Sequence, residues 1–177
     1  MDEKKLQEYI NILRRTDVFY DLSQAQLQMV ASICSEVEYK MGEIIFEENS
    51  AGDELYVIAR GEVEILVDPS LVQTTPQPGA SGPVTIATLR TGQTFGEVAL
   101  VDRGLRTASA RCASRRARLL VIPRERLITL CDSYPELGYR IMRNVAADLA
   151  FKIRGTDLLI REQLLWRPRP MGEPGVR

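Results

Sequence analysis

The sequence predicts an α+β fold in which short antiparallel strands form a sandwich or barrel between two helical segments. Across residues 36–122, apolar and polar residues alternate in short runs separated by glycines such as Gly42 and Gly61. This pattern is typical of strands joined by tight turns. Residues 1–35 and 123–166 instead carry apolar residues at helical spacing. The 177 residues are enough for one domain with a hydrophobic core.

The N-terminal segment is predicted to contain two helices, over residues 2–15 and 24–34. Ser23 precedes the second helix and is a suitable N-cap, since its hydroxyl can accept a hydrogen bond from a free backbone N–H. The first helix places four apolar side chains on one face: Leu6, Tyr9, Ile10 and Leu13. The two helices either cover one end of the strands or have a regulatory role, and the residue pattern leaves both readings open.

Eight segments of the central region are predicted as strands. They are residues 36–40, 43–47, 55–59, 62–67, a run ending at Phe95, and residues 84–89, 107–112 and 117–122. Residues 68–83 interrupt them and are rich in Pro, Gly, Ser and Thr. This composition predicts a flexible loop that is disordered and dispensable, although loops of this length are also often functional.

The C-terminal segment begins with a short helix after Pro123, because proline suits the first position of a helix. A long helix is predicted over residues 136–154, with apolar side chains repeating every four residues. Gly155 and Thr156 are expected to interrupt it, with Thr156 capping a last helix that reaches residue 166. Residues 167–177 are Pro- and Gly-rich and are predicted to form a disordered tail.

Composition excludes several classes of function. The net charge is −1, so no overall charge favours nucleic acid, and no apolar run approaches the ~20 residues of a membrane span. The chain has no histidine, which excludes Ser-His-Asp triads and His-based metal sites. Cys34, Cys112 and Cys131 are odd in number and widely spaced, which fits neither a disulfide framework nor a metal cluster. We therefore expect a cytoplasmic protein that has reduced thiols and is not an enzyme.

The stretch from Gly92 to Ala110 carries the strongest functional signal. Gly96 allows a close approach of the backbone, and the short helical turn after it presents unpaired N–H groups that suit a phosphate. Arg106 can grip phosphate oxygens with two parallel hydrogen bonds, while the acceptor-only carboxylate of Glu97 suits a sugar hydroxyl. The same residues also fit a plain surface turn held by a Glu97–Arg106 salt bridge.

The sequence of this stretch, FGEVALVDRGLRTASA, resembles the phosphate-binding cassette of cyclic nucleotide-binding domains. That family includes regulatory subunits of cAMP-dependent kinase, cyclic nucleotide-gated channels and the bacterial catabolite activator protein. The matching positions are Phe95, Gly96, Glu97, Ala99, Leu100, Arg106 and Ala108. Leu105 stands where many members have proline. The segment MGEIIFEENSAGDELYVIARGEVEI also resembles the family, whose fold is a β-roll or jelly roll of about eight antiparallel strands with helices packed on it.

The resemblance implies a ligand, cAMP or cGMP, and no further cofactor. We favour cAMP over cGMP, and Thr107 keeps cGMP open because a Ser or Thr after the arginine accompanies cGMP in some members. The implied binding residues are Gly96, Glu97, Val98, Ala99, Arg106, Thr107 and Ala108. In the family the helix matching residues 136–154 swings over the bound base, which makes Lys152, Ile153 and Arg154 candidate base contacts. The same helix also suits simple packing on the core, or the seam of a homodimer.

The implied function is a regulatory module in which the ligand changes the docking of the C-terminal helices and the signal passes to a protein effector. DNA binding is not expected, because the residues after position 166 leave no room for a helix-turn-helix. The alternative is a ligand-free docking module of the same fold. A small enzyme lacks a nucleophile–base pair, and a thiol redox regulator lacks a resolving cysteine.

Overall fold

A computed structural model describes residues 2–68 and 82–165 of the chain. Most of the predicted loop over residues 68–83 and the whole predicted tail over residues 167–177 lie outside the described residues. The helices are α1 (Glu3–Leu13), α2 (Gln24–Ile33), α3 (Glu97–Asp102), α4 (Arg124–Ser133) and α5 (Pro135–Leu165), with a 3-10 turn at Asp17–Phe19. The strands are β1 (Ser35–Lys40), β2 (Ile44–Phe46), β3 (Glu54–Arg60), β4 (Glu62–Val67), β5 (Val84–Arg90), β6 (Thr94–Phe95), β7 (Ser109–Cys112) and β8 (Arg116–Pro123).

The described strands form two antiparallel sheets of four, in the orders β1-β8-β3-β6 and β2-β7-β4-β5. The predicted α+β fold with eight antiparallel strands and helices at both ends is therefore confirmed. Strands β3 and β8 lie at the centre of the first sheet and pair over most of their length. Their neighbouring side chains point to opposite faces, as the pleat requires. The first sheet is therefore covered on both sides.

Two apolar clusters fill the two faces of this sheet. On β8, Leu119 packs between the sheets with Ile58, whereas Leu120 packs on the helical side with Leu55 and Phe19. All five side chains are at most 1% exposed. The side chains of β8 thus contact the interior of the sandwich on one face and the helices on the other. Because both faces are closely packed, a shift of one layer displaces the other.

A capping box orders the start of α2, and one buried amide ties the N-terminal segment to α5. Ser23 caps α2 as predicted, in a reciprocal capping box in which Gln26 N–H donates to Ser23 Oγ at 3.2 Å. On α5, the buried side chain of Asn144 donates to the backbone carbonyls of Val18 and Tyr20, at 3.2 and 2.8 Å. The 3-10 turn is thereby fixed against the first third of α5.

The predicted interruption at Gly155 and Thr156 is wrong, because α5 continues through both residues to Leu165. Thr156 caps nothing, and its hydroxyl instead donates to the carbonyl of Lys152 within the helix at 3.1 Å. A single glycine disfavours a helix by only about 1 kcal/mol, which is too little to end a helix already propagating. The separate helix expected from residue 157 is the last part of α5.

The predicted strand over residues 107–112 begins two residues late, at Ser109. The preceding residues belong to a loop whose backbone pairs with the loop after β2. Asn49 N–H donates to Arg106 O at 2.8 Å, and Arg106 N–H donates to Ser50 O at 2.9 Å. This pairing fixes the backbone of Arg106 on both sides.

Candidate functional site

Gly96 is the turn that brings the parts of the site together. It follows β6 directly and begins α3 with a left-handed φ of 83°. A Cβ atom at this position would lie 2.7 Å from both Glu54 O and Arg106 Nη1. No side chain fits here, and the conformation itself is costly for a residue other than glycine. Glycine at this point therefore permits both the tight turn and the close approach of the arginine.

Arg106 is almost fully buried, with its side chain only 2% exposed. Its Nη1 donates to Gly96 O at 3.2 Å and to Glu54 O at 3.1 Å, and its Nη2 donates to Glu54 O at 3.1 Å and to Glu54 Oε2 at 3.0 Å. The buried Nε has no hydrogen-bond partner. The fork of the guanidinium thus retains one donor that an anionic oxygen could use.

An aromatic cluster lies against this guanidinium. The Phe46 ring centroid is 4.3 Å from Arg106 Cζ and that of Tyr56 is 5.7 Å away, distances at which the ring faces attract the cation. Tyr56 stacks on Phe95 with ring centroids 5.0 Å apart. Burial, and then the nearby Glu54 carboxylate, raise the pKa of Tyr56 to about 12. This phenol therefore stays neutral and adds no negative charge beside the guanidinium.

Glu97 is held by the C-terminal helix rather than by Arg106. The residue is 5% exposed, and its Oε1 lies 3.1 Å from Lys152 Nζ. Lys152 also lies 2.7 Å from Asp148 Oδ2 and donates to Thr94 O at 3.0 Å. The alternative prediction, a surface turn held by a Glu97–Arg106 salt bridge, is wrong. Both residues are buried, and in the described ion pairs Glu97 pairs with Lys152 and Arg106 with Glu54.

The other predicted site residues lie at different depths. Val98 lies on α3 and is half-buried, and the side chain of the neighbouring Ala99 is outside what the structure describes. In the loop after Arg106, Thr107 is exposed and Ala108 is half-buried. Of the three predicted base contacts, Lys152 reaches the cassette. Ile153 and Arg154 are exposed on the surface of α5.

Two ionic neighbours of the candidate site, Glu54 and Asp148, were not predicted from the sequence. Asp148 precedes Lys152 by four residues, a spacing that places both side chains on one helix face and could have indicated the pair. Glu54 is next to Gly52 and Asp53 in the sequence, but its contact with Arg106 spans 52 residues. No local pattern in the sequence indicates such a contact, because it depends on how β3 packs against the cassette.

The described parts of the chain hold neither a metal cluster nor a membrane-spanning helix. Across residues 2–68 and 82–165, no group of three or more His, Cys, Asp or Glu side chains is arranged to hold a metal ion. Nor does any helix among these residues have the length and apolar character needed to cross a membrane. The three cysteines are unpaired, with Cys112 and Cys131 buried and Cys34 half-buried.

Comparison with known proteins agrees with this geometry. The family model described as the cyclic nucleotide-binding domain matches residues 36–134, which is more than half of the chain. The cyclic AMP receptor protein of Thermus thermophilus is 30% identical over 146 residues, covering 82% of this chain and 61% of that protein. Isozyme 2 of the cGMP-dependent protein kinase of Drosophila melanogaster is also 30% identical, over 134 residues that cover 75% of this chain and 14% of the kinase.

Solved structures give the same result. A cyclic nucleotide-binding domain from Methylobacillus flagellatus superposes with a TM-score of 0.74 at 24% identity, over 96% of this chain and 86% of the other. The catabolite activator protein of Thermus thermophilus superposes with a TM-score of 0.66 at 28% identity, over 84% and 63%. The chain spans less than two thirds of the length of the Thermus receptor protein and about a seventh of the Drosophila kinase. The chain belongs to the cyclic nucleotide-binding domain family.

Proposed function

We propose that this chain is a regulatory module that binds a cyclic nucleoside monophosphate, cAMP in preference to cGMP. The observation that carries the proposal is the buried guanidinium of Arg106, whose Nη1 lies at the Gly96 turn and whose unpartnered Nε donor lies beside Gly52. A buried cation of this kind suits a singly charged cyclic phosphate. The proposal also rests on membership of the family and on the names of relatives that refer to either nucleotide.

The cyclic phosphate is assigned to Arg106 and to the backbone from Gly96 to Ala99, with Val98, Thr107 and Ala108 bordering it. Glu97 is assigned to the ribose 2′-hydroxyl, because a carboxylate accepts hydrogen bonds and repels phosphate. Lys152, Ile153 and Arg154 are the proposed base contacts. Glu54, whose side chain is 38% exposed, can move into water when phosphate oxygens take its place on Arg106.

Signalling requires that ligand binding changes the position of α5. We assign this role to α5 because Lys152 links it directly to the cassette. The partner is proposed to be a protein effector. Phe151 and Leu158 are 74% and 62% exposed and lie seven residues apart on one side of α5, which supports a homodimer through this helix. The unpaired cysteines support a cytoplasmic location.

A second candidate function is a docking module of the same fold that binds no nucleotide. It is favoured by two ion pairs, Arg106 with Glu54 at 3.0 Å and Glu97 with Lys152 at 3.1 Å. These pairs already satisfy the charges that a nucleotide would meet. In this case the cassette would only hold α3 and α5 in place for a protein partner.

Isothermal calorimetry with cAMP and then cGMP separates the two functions. We expect micromolar or tighter binding of cAMP, weakened by Arg106→Ala through loss of a charge-assisted contact of about 1.5–3 kcal/mol, roughly 10- to 150-fold. Arg116→Ala is the matched control, because Arg116 is exposed and pairs only with the exposed Glu38 among the described ion pairs. Arg106→Lys, which keeps the charge, covers the case in which the alanine variant fails to fold. A folded wild-type protein that binds neither nucleotide would refute the first proposal and favour the docking module.

The base preference is tested in the same titrations. We expect cAMP to bind more tightly than cGMP, and Thr107→Ala to weaken cGMP more than cAMP, because the exposed Thr107 hydroxyl lies next to the arginine and can donate to the guanine base. Equal loss for both nucleotides would remove Thr107 from base recognition.

A further inference from the structure

The contact between α5 and the cassette is centred on one ammonium group, that of Lys152. Its Nζ lies 3.1 Å from Glu97 Oε1 and 2.7 Å from Asp148 Oδ2, and it donates a hydrogen bond to Thr94 O at 3.0 Å. The Glu97 side chain is only 7% exposed and that of Asp148 is 18% exposed. One lysine is therefore shared by two largely buried carboxylates from two different elements.

This arrangement matters because a buried carboxylate needs a partner. An unpaired charge in such a place is expensive, so Glu97 is stable only if a cation or a set of hydrogen-bond donors faces it. Lys152 is the cation in the structure. A ribose hydroxyl donating to Glu97 would be an alternative partner at the same group, and the two partners would compete.

Asp148 lowers the free-energy cost of moving the Lys152 ammonium away from Glu97. It lies one helical turn before Lys152, and its Oδ2 is buried within ion-pair distance of Nζ but receives no aligned hydrogen bond. Lys152 can therefore leave Glu97, align fully with Asp148 and remain paired. The ammonium would not have to be released into water or left alone in the protein.

We propose that Lys152 is an internal competitor of the ribose 2′-hydroxyl, which neutralises Glu97 in the absence of nucleotide and passes to Asp148 when the hydroxyl arrives. This proposal rests on the proposed function, and it makes Lys152 and Asp148 determinants of specificity for the ribose. This role is additional to the base contact proposed above, because here the lysine acts on the protein's own carboxylate. Its link between α5 and the cassette breaks when the ligand binds.

The test compares cAMP with 2′-deoxy-cAMP, which lacks the hydroxyl. In the wild-type protein the hydroxyl replaces an existing partner of Glu97, so the affinity ratio of the two nucleotides should be small. In Lys152→Met the carboxylate loses its cation among the described residues. The hydroxyl then contributes a full charge-assisted bond, and the ratio should rise at least about tenfold. The gain should come mainly from tighter binding of cAMP.

Asp148→Asn should have the opposite effect. Without its second carboxylate, Lys152 stays on Glu97, so cAMP should bind several-fold more weakly while 2′-deoxy-cAMP is unchanged. Arg143→Met is the matched control, since Arg143 is an exposed cation of the same helix whose only described contact is with the Tyr139 ring at 6.0 Å. It should leave the ratio as in the wild type. An unchanged ratio in Lys152→Met, or equal weakening of both nucleotides, would overturn the competitor role and assign Lys152 to the ligand or to packing.

A measurement without nucleotide separates this proposal from the proposed function. Amide hydrogen exchange around residues 148–156 should accelerate about tenfold in Lys152→Met and in Glu97→Gln, and should be unchanged in Arg143→Met. Unchanged exchange in the first two variants would show that the ion pair does not hold α5, and would overturn the proposal whatever the nucleotide data show. A wild-type protein that binds neither nucleotide but shows these exchange changes would refute the proposed function, and with it the competition at the ribose hydroxyl, while confirming that the Lys152–Glu97 ion pair holds α5.

Discussion

A single methyl group at Gly52 should disturb the arginine at the centre of the site. The backbone of Gly52 is not left-handed, so alanine adds no backbone strain there. Its Cβ would, however, lie 2.8 Å from Arg106 Nε and 2.9 Å from Nη2, closer than nonbonded atoms tolerate. The added methyl group in Gly52→Ala therefore clashes with the side chain of Arg106.

The size of the effect follows from how Arg106 is held. The guanidinium donates four hydrogen bonds and is 2% exposed, so it has little freedom to move aside. Overpacking of a buried group costs about 1–3 kcal/mol, and loss of the bond to the Glu54 carboxylate has a similar magnitude. We expect the free energy of unfolding to fall by about 2 kcal/mol, and the affinity for cAMP to fall by about tenfold or more.

Urea unfolding and calorimetry on the same preparations measure both quantities. Gly155→Ala is the control, because nothing lies within 4 Å of a Cβ at that helical position. This variant should gain about 0.5–1 kcal/mol of stability and keep the wild-type affinity. If Gly52→Ala unfolds within about 0.5 kcal/mol of the wild type and binds cAMP equally well, the reasoning about the packing of Arg106 is refuted.

Three further predictions concern the scaffold. Asn144→Ala should lower the free energy of unfolding by about 1–3 kcal/mol, because it leaves two backbone carbonyls of the 3-10 turn without their donor; a urea midpoint equal to that of the wild type would contradict this. Ser23→Ala should lower it by about 1 kcal/mol through loss of the capping box, and circular dichroism melts would show no shift if the cap were unimportant. Burial raises the pKa of Cys34 from 9.0 to about 12, so the folded protein keeps a proton that the unfolded chain loses. Its contribution to stability is therefore complete below pH 9 and is lost as the pH rises towards 12; unfolding at about pH 8 and pH 10 should show a smaller decline in Cys34→Ala than in the wild type.

Local patterns in the sequence predicted the features that one short stretch determines. The alternation of apolar residues predicted the strands, Ser23 predicted its cap, and the cassette motif predicted the family. These features depend on neighbours along the chain, and local pattern is sufficient for them. The error at Gly155 came from reading a weak local preference as a break, when propagation of a long helix outweighs it.

The ionic partners of the site could not be obtained in this way. Glu97 and Arg106 are nine residues apart and carry opposite charges, so a pair between them was a reasonable reading of the sequence. The actual partners, Lys152 and Glu54, are brought in by the docking of α5 and by the position of β3. Such contacts are set by packing of distant elements, and their choice depends on burial that no single stretch reveals.

The continuity of α5 gives the molecule a mechanical property. The helix has 31 residues without a break, so a force applied at one point is transmitted along its whole length. Its end lies 21 residues beyond Asn144, its attachment to the 3-10 turn, which corresponds to about 30 Å at 1.5 Å per residue. A tilt of about 10° around that attachment would move Lys152 by about 2 Å and the end of the helix by about 5 Å. Lys152 lies on the same side of this attachment as the helix end, so a small shift at the lysine accompanies a larger displacement of the end of α5.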